Sequence, residues 1–164
     1  RSICLKLYFK SQSDRLLEAK TINIDAVDKV LVEKSKRHMH LMFKGIIVKT
    51  YKVALGFDPI GHKHFEGDGR TPEGFYTIDW RQHSKRFHKS LHVSYPSRAD
   101  KASAKTAGKS PGGAIMIHGL GSFNFLGKLH TKKDWTLGCV AVTNEQINEI
   151  WNCVPNGTPI EIRP

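Results

Sequence analysis

The sequence predicts a mainly β fold: a single-domain sandwich or barrel with one or two peripheral helices. Three observations predict it. Short apolar runs rich in β-branched residues recur along most of the chain, separated by Gly- and Pro-bearing turns. Only two stretches carry a helix-start signature. At 164 residues the chain has the length of one ordinary domain, without internal repeats or low-complexity tracts.

The elements follow in order. Residues 1–26 read as an N-terminal extension of weak pattern, with Ile3, Leu5 and Leu7 alternating like a short strand and Asp14 to Glu18 opening a possible helical turn. From residue 27 the β signal is clear. Val30 to Val32 and His38 to Phe43 are apolar runs joined through the basic turn Lys34-Ser35-Lys36-Arg37, for which a solvated turn is the expectation. Lys44-Gly45 turns the chain into a third run, Ile46 to Leu55, a hairpin signature. Gly56 to Gly74 is too rich in Gly, Pro and His for regular structure and holds Thr71-Pro72-Glu73-Gly74. Strands are expected at Phe75 to Trp80 and Leu91 to Tyr95, the latter stopping at Pro96. Ser97 with Asp100 three residues on opens a short Ala-rich helix that ends by Gly108. Ala114 to Ile117 delivers His118 at its end, and Val140 to Val142 is a short strand. Thr143 and Gln146 form a capping box ahead of Ile147, Ile150 and Trp151 at helical spacing. Pro155-Asn156-Gly157 ends that helix before a closing strand, Ile160 to Ile162.

Composition narrows the function classes. Hydrophobic residues make up 39% and mean hydropathy is −0.40, values of a globular chain rather than a disordered or membrane-spanning one. The stretch Ile3 to Phe9, broken by Lys6, is too short to span a bilayer. The formal charge of +11 points to an anionic partner: nucleic acid, an acidic membrane surface or a carboxylate-rich polymer. Three scattered cysteines make no disulfide scaffold, although a Cys4–Cys153 bridge is open. No C-x-x-C pair is present, and the paired histidines His38/His40, His62/His64 and His88/His92 lack further ligands at suitable spacing, so no metal and no cofactor is expected. Gly108-Lys109-Ser110 lacks the leading glycine of a phosphate loop, and no stacking aromatics interleave the basic run, so nucleic acid is not the expected partner.

Two residues carry the chemistry. Cys139 follows Gly138, which removes a side chain beside the sulfur, and Thr136 offers a hydroxyl close by. His118 ends an apolar run and precedes Gly119-Leu120-Gly121. A Cys after Gly and a His before Gly, each at one end of a short strand, suit a thiolate–imidazolium pair on adjacent strand ends. Cys139 read alone is more often a small buried hydrophobe heading its strand.

Ile117-His118-Gly119, with 17 residues between His118 and Thr136, then Thr136-Leu137-Gly138-Cys139, with the Thr71–Gly74 turn upstream, resembles the L,D-transpeptidase catalytic domain (YkuD) of bacterial cell-wall enzymes. The likeness runs from about Val27 to Ile162, making 27–164 the catalytic domain. It implies that Cys139 is the nucleophile, His118 its base, the Gly119 carbonyl a third member orienting the imidazole, and the amides of Gly138 and Cys139 the oxyanion hole. Leu137 stands where most members have His, and Ala141 where most have Arg. Asp134-Trp135-Thr136 and Leu91–Pro96 resemble the branch that includes an enzyme releasing outer-membrane lipoprotein from peptidoglycan.

The implied reaction is attack on the amide after the L-centre of meso-diaminopimelate in a peptidoglycan stem peptide. A thioester acyl-enzyme forms; an amine acceptor then gives transpeptidation, and water gives hydrolysis. Substrate contacts are expected from Tyr95, His92, Trp135 and Thr136. Asp134 is expected to cap a turn, the alternatives being a hold on His130 or on a substrate amine. The expected location is the periplasm or cell envelope. The chain opens on Arg1 rather than Met, so a segment upstream, such as a removed export signal, is expected. The rival from another class is a non-catalytic basic binding module for wall polymer or nucleic acid, with Cys139 buried and inert.

Overall fold

The computed structural model describes residues 27–164. The N-terminal extension, with Cys4 and the strand and turn expected there, lies outside the described residues.

Among the described residues eight strands form one curled mixed sheet. They are β1 (Lys29–Glu33), β2 (His38–Phe43), β3 (Ile46–Lys52), β4 (Gly74–Ser84), β5 (His88–Val93), β6 (Met116–His118), β7 (Val140–Ala141) and β8 (Pro159–Arg163). Their order is β3-β2-β1-β8-β4-β5-β6-β7. β1–β2–β3 is the expected meander, and the tight turn at Lys44-Gly45 takes positive φ at both residues, 48° and 77°. The pairs β1–β8 and β6–β7 are parallel, so long connections must carry the chain between their ends.

The curl originates in β4. Its first half pairs with β8, its second half with β5, and a bulge interrupts the ladder between Ile78 and Arg81. A bulge adds a residue to one strand, bends it and increases its twist. β4 therefore runs past the Trp80 end expected from the pattern and serves both halves of the sheet. The far edges then meet: Val53–Gly56, continuing from β3, bridges to Ala141 and Thr136. Ala54 and Ala141 exchange N–H···O bonds of 3.2 and 2.9 Å. The result is a half-barrel, as the sandwich-or-barrel expectation allowed.

Both capping boxes form. Ser97 and Asp100 start α1 (Arg98–Thr106), and Thr143 and Gln146 start α2 (Asn144–Cys153). Ile147 and Ile150 of α2 are fully buried with Leu91, Ile117, Val140 and Val142, each such side chain contributing about 1.5–3 kcal/mol. The insert between His118 and Cys139, unassigned by pattern, folds as a 3-10 segment, Gly121–Lys132, kinked at Gly127.

The basic turn after β1 is not a solvated turn. Lys34 is buried, and its Nζ donates to Gly61 O (2.7 Å), Thr71 O (2.8 Å) and Glu73 Oε1 (3.0 Å). Arg37 reaches Asp134. Two of the four turn residues thus tie down the loops on either side of the site described next, because each finds acceptors that water would otherwise have to satisfy.

Candidate active site

β6 and the residue leading into β7 place the two candidate side chains. Ile117 pairs with Val140 and His118 with Ala141, and the fully buried Ile117 and Val140 point into the core. Alternation then sets Met116, His118, Cys139 and Ala141 on the opposite face. Cys139 stands beside Met116, whose amide donates to Sγ at 3.4 Å, and the thiol donates to Ala114 O at 3.5 Å. His118 is the diagonal neighbour, one strand over and two residues along. No hydrogen bond joins Sγ to the imidazole among the described residues; the thiol proton rests on Ala114.

His118 Nδ1 donates to Gly119 O at 2.7 Å, which leaves the Nε2 lone pair as the basic position. Phe87 lies over the ring at 4.2 Å between centroids, and Trp135 meets it edge-on at 6.0 Å. Asn144, the first residue of α2, accepts from the amides of Leu120 and Gly121 at 2.8 and 3.0 Å and so holds the loop after His118. A Cβ on Gly119 would meet Asn144 Oδ1 at 2.7 Å and Phe87 O at 2.8 Å, so only glycine fits there. Gly138, at φ 135°, is equally constrained: its Cβ would lie 2.7 Å from Arg70 O.

The electrostatics depart from a resting ion pair. Burial lowers the His118 imidazole to about 4, with His130 and Arg86 adding to the shift against the Gly119 bond. Burial pushes the Cys139 thiol up, against the Met116 amide, Lys63 and Arg86. Both shifts oppose a thiolate–imidazolium pair, since a low-dielectric pocket disfavours the charged form of each group. Burial thus favours neutral thiol and neutral imidazole at rest, against the ion pair expected from the pattern.

The loop Gly56–Gly74 forms a second wall. Its centre is a buried ion pair, Lys63 to Asp68 at 2.9 Å. Asp68 also accepts from the amides of His64, Phe65 and Arg70. Against the cost of burial, Lys63 and these amides hold its carboxyl down at about 2. Thr71 Oγ1 accepts from Gly56 N at 3.0 Å, closing the loop.

The expected substrate contacts divide. Trp135 is 43% exposed and stands between His118 and His130. His92, in register with Met116, lies on the same face as Cys139. Tyr95 is instead buried, its hydroxyl donating to Pro111 O at 2.8 Å and its ring packed against Tyr76 and His62; β5 ends at Val93, and this ring is a strut. Thr136 is also buried: Oγ1 donates to Cys139 O at 2.8 Å and accepts from Gly138 N at 3.1 Å, so it braces the turn that carries the sulfur. The Gly138 amide is thereby occupied, and of the two expected oxyanion donors only the Cys139 amide remains. Asp134 accepts from Arg37 and from Leu55 N at 3.0 Å, and His130 is not its partner. Lys34, Arg37, Lys63 and Arg86 went unrecognised in the sequence. The Gly67-Asp68-Gly69 triplet, a turn built around a carboxylate, was the one local sign of the Lys63 pair.

Comparison with known proteins agrees with this fold. The protein named Putative L,D-transpeptidase YafK, of Escherichia coli (strain K12), is 28% identical over 110 residues, 66% of this chain and 37% of YafK. The helical cell shape determining protein Pgp2 (K307A mutant) of Campylobacter jejuni superposes with a TM-score of 0.61 at 25% identity, over 84% of this chain and 47% of that one. An L,D-transpeptidase from Mycobacterium smegmatis shares the fold, with a TM-score of 0.57 at 11% identity over 85% of this chain and 59% of that one. The chain spans about a third of the length of YafK and about half that of Pgp2. Residues 28–162 match the family model of the L,D-transpeptidase catalytic domain (YkuD), and the chain belongs to that family.

Proposed function

We propose that the chain is a metal-independent cysteine acyltransferase of the bacterial envelope, acting on peptidoglycan stem peptides at the L-centre of meso-diaminopimelate. The observation that carries this is His118 beside Cys139 on one face, with Nδ1 committed to Gly119 O and Nε2 left basic. Substrate entry displaces the thiol from Ala114 O. His118 Nε2 takes the proton as Sγ attacks the carbonyl carbon, so charge separates only in the transition state. The Cys139 amide donates to the oxyanion. Collapse expels the amine of the terminal D-residue, which receives the proton from His118, and leaves a thioester. An incoming amine gives transpeptidation. Water gives carboxypeptidase cleavage or, where the bonded group is a lipoprotein, its release; Leu137 in place of the usual His supports hydrolysis. The +11 charge suits a stem peptide carrying several carboxylates.

The test is mass spectrometry of purified stem peptides incubated with the protein, with and without an acceptor amine. Loss of the terminal D-residue, abolished by Cys139→Ala and retained in Cys153→Ala, supports the reading. Turnover that persists in Cys139→Ala overturns it, and binding of wall polymer without turnover in either protein returns the chain to the binding-module class.

A further inference from the structure

Resting on the reading above, we infer that Asp79, Trp80 and His92 form a recognition subsite for the zwitterionic D-centre of diaminopimelate, on the Cys139 face of the sheet. The bulge in β4 builds it. Ile78 pairs with Val93 and Arg81 with Leu91, so Asp79 and Trp80 together oppose one residue, His92. Such a two-against-one arrangement turns both bulge side chains toward the residue opposite. Both touch it: His92 Nδ1 lies 2.6 Å from Asp79 Oδ1, and the Trp80 indole stacks on the imidazole at 4.6 Å and 14°. Asp79 and Trp80 remain 40% and 42% exposed, the Asp79 value being for its side chain. The bulge does more than bend β4. It assembles a carboxylate, an imidazole and an indole at an accessible spot.

Position ties the cluster to the reaction. His92 pairs with Met116, and the Met116 amide holds Cys139 Sγ. Cys139, Met116 and His92 therefore form one row across three strands, and alternation puts their side chains on one face. Two strand spacings separate the ends of the row, roughly 10 Å. In meso-diaminopimelate the reacting carbonyl and the D-centre are joined by the L-centre and three methylenes, about 6 Å when extended, to which a hydrogen bond at one end and the C–S approach at the other must be added. The spans agree.

The chemistry is complementary. The D-centre bears an ammonium and a carboxylate. Asp79 keeps an oxygen free of His92 to accept from the ammonium. In its doubly protonated form the imidazole, bonded through Nδ1–H to Asp79, has Nε2–H left as a charge-assisted donor to the carboxylate. Met116 lies between, under the methylenes. A lysine at the same place in a stem peptide has the ammonium without the carboxylate, so the subsite distinguishes diaminopimelate stems from lysine stems.

The experiment compares two tetrapeptides that differ only in meso-diaminopimelate or lysine at the third position. Turnover is followed with the intact chain, and binding by calorimetry on Cys139→Ala protein. Expected is a KM at least tenfold lower for the diaminopimelate peptide, with the same ordering in the binding measurement. Asp79→Asn and His92→Gln should each shrink that difference to under threefold, raising KM more than they lower kcat. Equal use of both peptides by the wild-type chain, or full discrimination in both variants, overturns the subsite while leaving the acyl-transfer reading intact. Absence of turnover on either peptide overturns the acyl-transfer reading. In that case tenfold tighter binding of the diaminopimelate peptide, lost in the two variants, still supports the subsite, and equal binding overturns it.

Discussion

Arg37, in the turn between β1 and β2, grips Asp134 with Nε at 2.9 and 3.0 Å and Nη2 at 2.7 Å, across 97 residues of sequence. Asp134 also accepts the Leu55 amide, so it fixes the start of the Trp135–Cys139 turn to the segment that closes the half-barrel. Arg37→Met is expected to cost about 1–2 kcal/mol, the low end for a charged bidentate pair because Arg37 is partly exposed to solvent. kcat should fall several-fold as the turn loosens. Urea unfolding of both single variants and of Arg37→Met/Asp134→Asn checks this: a coupling near zero in the double-mutant cycle would show that the pair does not act as one unit.

Lys34 is the deeper anchor. Lys34→Met removes a buried ammonium and leaves Gly61 O, Thr71 O and Glu73 without their donor. The expected loss is about 2–4 kcal/mol, since stranded buried acceptors and an unpaired carboxylate both cost free energy. Hydrogen exchange should speed up across residues 56–74 ahead of the core strands. Unchanged protection there would show that the loop holds itself.

The electrostatics of the pair predict two pH profiles. With burial as its cause, the raised thiol makes alkylation of Cys139 slow at neutral pH, and its rate should keep climbing beyond pH 9. A plateau near pH 7 would instead reveal a resting thiolate. On the proposed mechanism a protonated His118 cannot act as base, so kcat/KM should show an acid limb near pH 4.

The same imidazole sets a stability profile. Its folded pKa, about 4, lies below the ordinary 6.5, so between those values the unfolded chain binds more protons. Stability from this group is full above pH 6.5 and declines as pH falls to 4. His118→Gln should flatten that part of the unfolding curve relative to wild type. Parallel curves for the two proteins across this window would place the titration elsewhere.

Gly138→Ala is expected to abolish turnover. The added Cβ would sit 2.7 Å from Arg70 O and 3.0 Å from Ile115 Cδ1, at a φ of 135° that L side chains rarely adopt. The site has backbone on one side, so the turn must shift and take the neighbouring sulfur with it. Full activity with an unchanged melting temperature would show that the cleft is looser than its geometry.

What the sequence made legible was local. The meander, the Lys44-Gly45 turn and both capping boxes depend on residues within a few positions of one another, and they form where the pattern put them. The nearness of Cys139 to His118 was legible for the same reason: a glycine beside each, at the end of a short apolar run, marks a strand end. What failed was the side chain whose partner is distant. Lys34 in a turn reads as solvated until Gly61, Thr71 and Glu73 are seen to surround it. Tyr95 reads as a cleft residue until Pro111 takes its hydroxyl. Thr136 reads as a substrate contact until the turn is seen to consume both its hydrogen-bonding roles. The 3-10 segment Gly121–Lys132 has no sustained period, so nothing in the pattern could announce it.

The bridge between Ala54 and Ala141 joins stretches almost ninety positions apart, and it is the seam on which the Thr136–Cys139 turn is mounted. Contacts of such long range form late in folding, once the entropy of a large loop has been surmounted. A nascent or cut chain that ends before Ala141 would own the sulfur but not the scaffold that aims it. The aim of the site is thus a property of the finished molecule, withheld until both rims of the sheet have found each other.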